Sequence, residues 1–75
     1  WSTNKKESIN TYKLVLESDP STTFSVIAAY FLAYYYDYKL SDKDNAVIYY
    51  TWLTKNHPES NQGMIAKERL EGLNE

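Results

Sequence analysis

Apolar residues recur along this chain at intervals of three and four, in stretches separated by short polar turns. That period lines side chains along one face of an α-helix, whereas alternate spacing would indicate a strand. It predicts a first helix over residues 5–18, stopped at Asp19-Pro20 because a residue before proline avoids the helical region. A second helix is predicted from Thr22 or Thr23 to Tyr38, with the hydroxyls of Ser21 to Thr23 available to cap its first amides. The run KLSDKD (Lys39 to Asp44) interrupts the pattern, Ser41 or Asp42 caps a third helix over residues 42–56, and His57-Pro58 ends it. A fourth helix over residues 61–73 contributes Met64, Ile65, Leu70 and Leu73 to the core. It turns Glu68 and Glu71 outward, beside Lys67 and Arg69, as a solvated face. Such short connections imply antiparallel neighbours, so the expected fold is all-α, a set of helical hairpins.

The chain also matches itself. Pro20 and Pro58 are 38 residues apart, and Ser8 to Pro20 (SINTYKLVLESDP) lies in register over Ala46 to Pro58 (AVIYYTWLTKNHP). The shift pairs Ser8 with Ala46, Ile9 with Val47, Tyr12 with Tyr50 and Val15 with Leu53. Beyond the prolines it pairs Ile27 with Ile65, Ala28 with Ala66 and Leu32 with Leu70. The matches fall on apolar and turn positions, the ones a stacked helical repeat must keep.

The second helix raises a packing problem, because Tyr30 to Tyr38 reads YFLAYYYDY. At about 100° per residue, Ala29, Leu32, Ala33 and Tyr36 share one face, Tyr30, Tyr34, Asp37 and Tyr38 another, with Phe31 and Tyr35 at the side. A helix apolar nearly all round is buried on several sides, and Ala28, Ala29 and Ala33 let neighbours approach closely. Tyr36 is expected to meet Ala46, Tyr50 and Leu53 across its hairpin. The third helix carries a further apolar line, Ile48, Tyr49 and Trp52; packing against the fourth helix accounts for Ile48 and Trp52, and any exposed remainder would be a docking patch.

Composition narrows the functions. Eight basic and ten acidic residues, scattered along the chain, leave a net charge of −2 and no basic stripe, so nucleic acid is not an expected partner. No apolar run approaches the roughly 20 residues needed to span a bilayer, so no membrane insertion is expected. The absence of cysteine removes disulfides and thiolate metal sites. His57, the one histidine, stands in a turn with no catalytic or metal-ligating companion near it in sequence. Asp42, Asp44 and Asn45 lack the glycine and distal glutamate of a calcium loop and read as helix caps. With no phosphate loop or nucleophile motif, neither enzymatic activity nor a cofactor is expected.

These residues resemble the tetratricopeptide repeat. Leu32-Ala33 fits its leucine and small-residue pair, Tyr36 its tyrosine, Ala46 its alanine, Tyr50 its aromatic residue and Pro58 its proline, with one extra residue placed in the KLSDKD turn and Leu53 at a commonly small position. The first helix is similar to the second half of a preceding repeat and the fourth to the first helix of a following one or a cap. The ending HPESNQGMIAKERLEGL is similar to repeats of bacterial cell-envelope proteins. The chain opens with Trp1 and reads as a piece of a longer protein. The resemblance implies a right-handed α-α superhelix and a protein-protein interaction scaffold that holds a peptide or partner helix on a concave face. On that face Tyr30, Tyr34, Asp37 and Tyr38 are the implied binding residues. A carboxylate-gripping version of the family is not implied, because Tyr34 falls where its asparagine stands and Glu68 and Gly72 where basic residues stand. The alternative is a purely structural segment packed within a larger protein or self-associating through its cut repeat edges. Burial of the three tyrosines separates the two.

Overall fold

The computed structural model describes residues 2–73; Trp1, Asn74 and Glu75 lie outside it. It contains four packed helices and, among the described residues, no strand: α1 (Ser2–Ser18), α2 (Thr23–Tyr34), α3 (Lys43–Asn56) and α4 (Asn61–Leu73). α1 packs on α2, α2 on α3 and α3 on α4, and α2 also touches α4. The first helix begins earlier than its apolar pattern, since the polar residues before Glu7 are helical too.

The interior follows from α2. Ala28, Ala29, Leu32 and Ala33 lie on its buried arc and, with Tyr36 just beyond its end, join Leu16 of α1, Ala46, Tyr50 and Leu53 of α3 and Ala66 of α4 in one core. Three alanines on that arc bring the neighbouring backbones close, and the bulk is supplied by Leu32, Leu53 and Tyr50. Tyr36 is in this core, and its ring lies flat on that of Tyr49, with centroids 5.8 Å apart.

α2 passes directly into a π-helical turn, Tyr35–Lys39, closed by the Leu40 amide on the Tyr35 carbonyl at 3.1 Å. A π turn takes up one residue more than an α turn over the same advance. Ser41 then adopts φ 51°, a left-handed conformation more usual for glycine or asparagine after a helix. Of the two candidate caps Asp42 does the work, its Oδ1 accepting the Asn45 amide at 3.2 Å.

The two proline turns repeat in atomic detail. In the first, Thr22 Oγ1 accepts the Ser25 amide (3.1 Å) while its hydroxyl donates to the Asp19 carbonyl (3.3 Å). In the second, Ser60 Oγ accepts the Gly63 amide (2.9 Å) and donates to the His57 carbonyl (2.8 Å). Thr22 and Ser60, Ser25 and Gly63, Asp19 and His57 are all related by the same 38-residue shift. His57 also ties the turns together, its Nε2–H donating to the Pro20 carbonyl at 2.6 Å, with its ring against Trp52.

Three packing expectations are corrected. Met64 and Ile65 are about half exposed, and it is Gly63 and Ala66 that α4 buries. Small residues win there because α4 lies close to α3 and to the preceding turn. Ile48 is exposed, and Trp52 lines a hollow with Tyr49 and with Lys13, Leu16 and Glu17 of α1, so this line of α3 faces α1 and not α4. Arg69 is no member of a solvated face, for reasons that belong to the site.

Candidate functional site: the tyrosine groove between α2 and α4

Tyr30, Tyr34 and Tyr38 recur every fourth residue, which places them in a slanting row along α2 and its π-helical extension. Their rings form a ladder, with centroids 6.5 Å apart between Tyr30 and Tyr34 and 4.7 Å between Tyr34 and Tyr38. The row makes one wall of an open groove of about 300 Å³ whose other wall is Ile65, Glu68 and Arg69 of α4, with Tyr50 at its base. Tyr30 is half-buried, whereas Tyr34 and Tyr38 remain 46% and 53% exposed. The described chain therefore leaves much of the row uncovered.

Asp37 takes a different position from the one its sequence neighbours suggest. Its side chain is only 5% exposed and points beneath the tyrosine row. Arg69 grips it with two bonds, Nε to Oδ2 at 2.7 Å and Nη2 to Oδ1 at 3.0 Å, and the Tyr50 hydroxyl donates to Oδ2 at 2.9 Å. A carboxylate saturated in this way has little left for a partner. Asp37 belongs to the support of the groove, whose open surface is formed by the three tyrosines with Ile65 and Glu68.

The electrostatics follow from these bonds. Arg69 holds the Asp37 carboxyl below its ordinary range, burial opposes the shift, and the Tyr50 hydroxyl adds to it. Burial pushes the Tyr50 hydroxyl well above its ordinary value, reinforced by the bond to Asp37. The guanidinium of Arg69 also lies 5.2 Å from the centre of the Tyr38 ring, a cation-π contact that steadies the end of the row. Through Asp37 the π-helical turn is fastened to α4 by an ion pair and to α3 by the Tyr50 hydrogen bond. A planar guanidinium meeting a carboxylate with two parallel bonds fixes orientation as well as distance. The reach from Asp37 to Arg69 spans 32 positions, so no local spacing announced it.

The groove's exposed surface is aromatic and aliphatic with the single carboxylate of Glu68, since Arg69 is spent on Asp37. It offers stacking faces, hydroxyls and one negative charge. His57 and Asp37 are each engaged in hydrogen bonds within the fold, at separate places. Among the described residues no three His, Asp or Glu side chains gather as a metal site, and no helix is long and apolar enough to cross a membrane. Comparison of the chain with protein-family models, with curated proteins and with solved structures returned no match.

Proposed function

We propose that this chain is a non-catalytic protein-binding segment, stacked in the manner of tetratricopeptide repeats, that holds a peptide or partner helix in the groove between α2 and α4. The observation that carries the reading is a row of tyrosines left open to solvent on a helix whose end is locked by the half-buried Asp37–Arg69 ion pair. Tyrosine has few side-chain torsions to immobilise, a large apolar ring and a hydroxyl that tolerates water or a partner, which is why it anchors interfaces. A row already ordered before contact loses little entropy on binding. With Arg69 neutralised by Asp37 and Glu68 free, the groove favours partners that bring apolar or aromatic side chains and, at its Glu68 end, a basic residue.

The test is selection of binders from a displayed peptide library against the folded chain, followed by amide chemical-shift mapping. Selected peptides are expected to perturb Tyr30, Tyr34, Tyr38 and Ile65, and to lose affinity for Tyr34→Ala. Enriched peptides that map elsewhere, or no enrichment at all, would contradict the reading. A second reading, a structural segment completed by neighbouring protein, is favoured by one observation: Phe24, Ile27 and Phe31 form another uncovered apolar line on α2.

A further inference from the structure

The repeat identifies what belongs on that second line, because the molecule contains the equivalent place already filled. α2 rests on a seat made by α3 and α4. From α3 the seat uses Ala46, Tyr50 and Leu53, all buried in the core. From α4 it uses Gln62, which lines a hollow with Thr23, Val26 and Ile27; Ile65, which faces Tyr30 and Tyr34 across the groove; and Arg69, which binds Asp37. Moved back by 38 residues, these positions are Ser8, Tyr12 and Val15 on α1 and Phe24, Ile27 and Phe31 on α2. The second set is uncovered: Phe24 is 76%, Ile27 51% and Phe31 36% exposed, and Ser8, Tyr12 and Val15 are only half-buried.

Two differences define the occupant. In the filled seat Tyr50 and Arg69 converge on the carboxylate of Asp37. In the open seat their equivalents are Tyr12 and Phe31, whose rings lie against each other at 4.6 Å, so the ionic socket has become an aromatic one. An occupant presenting a carboxylate there would bury a charge against rings with no compensating partner. The second difference concerns a copy of this chain as occupant. The helix at its free end, α4, carries Lys67 and Glu71 where α2 has the fully buried Ala29 and Ala33. Two long charged side chains cannot enter a contact that closes on alanine, so a second copy is poorly suited.

We propose that the α1/α2 edge is a docking seat for one helix of a partner protein, patterned like α2: small residues four apart against α1, no charge on the contacting face, and an aromatic or aliphatic residue where α2 has Asp37. This rests on the repeat and is independent of the reading of the tyrosine groove.

The test uses two synthetic peptides copying residues 20–39, one unchanged and one with Asp37→Phe, each with lysines appended for solubility. Each is titrated into the isotopically labelled 75-residue chain. The Asp37→Phe peptide is expected to shift the amides of Tyr12, Ile27 and Phe31 and to bind about tenfold more tightly than the unchanged one. In the Phe31→Arg chain, which restores the arrangement of Arg69, the preference should reverse. Ile27→Lys, also at an exposed position, should weaken both peptides. Equal affinities, an order unaltered by Phe31→Arg, shifts confined to the tyrosine groove, or no binding would each overturn the proposal. Concentration-dependent shifts of the same three amides without peptide would overturn it too, in favour of self-association.

Discussion

The two proline turns make the same bonds with different side chains, and the contrast shows how a repeat tolerates divergence. At the first turn Ser25 is fully buried and its hydroxyl donates to the Asp19 carbonyl. At the second, Gly63 stands in the same place, and a Cβ there would come within 2.0 Å of the His57 carbonyl oxygen. One turn is opened just enough to admit a side chain that hydrogen-bonds the carbonyl. The other is closed onto a bare Cα. The backbone course is retained in both, so the constraint is on the pair formed by carbonyl and small residue, not on either residue alone.

The largest effect should come from breaking the closed turn. Gly63→Ala forces apart backbone that cannot yield as a flexible side chain would, at a cost of about 3 kcal/mol, measured as a lower midpoint in urea unfolding. Next is the filled seat. Asp37→Ala strips the acceptor from Arg69 and from the buried Tyr50 hydroxyl and should cost about 2 kcal/mol in the same measurement. The pH dependence has a definite sign. Asp37 titrates lower in the folded chain than in the unfolded one, so its stabilisation is complete above the ordinary carboxylate range near pH 4 and is lost as pH falls through the depressed folded value. Unfolding curves at neutral pH and near pH 3 should therefore converge more for Asp37→Ala than for the parent. A smaller loss, about 1 kcal/mol, is expected for Ser25→Ala, which removes the hydroxyl but leaves the Cβ in its space. If Ser25→Ala proved as damaging as Gly63→Ala, the two turns would be under the same constraint and the contrast between them would fail.

Much of this architecture was legible in the chain. The four helices, the stops at Asp19-Pro20 and His57-Pro58, and the buried arc of α2 follow from period and turn chemistry, which are local. The tyrosine row was legible for the same reason, as a four-residue spacing. The π-helical turn was not, because composition gives no sign of a widened turn within an uninterrupted helix. The burial of Asp37 was missed because it depends on Arg69, a residue whose neighbours Lys67, Glu68 and Glu71 made it look like one more solvated charge. The exposure of Met64 and Ile65 is not legible in the sequence, because the close approach of α4, which no local pattern announces, selects Gly63 and Ala66 for burial over the larger side chains.

The tyrosines from Tyr30 to Tyr38 divide between the core and a surface open to solvent. The most direct measurement is the unfolding free energy of Tyr34→Ala beside that of Tyr36→Ala, by urea titration of the isolated chain. Tyr36, buried and stacked on Tyr49, should cost about 3 kcal/mol or more on truncation. Tyr34, about half exposed in the open groove, should change stability by no more than about 0.5 kcal/mol. Comparable losses at the two positions would mean that Tyr34 is structural, and would contradict the account.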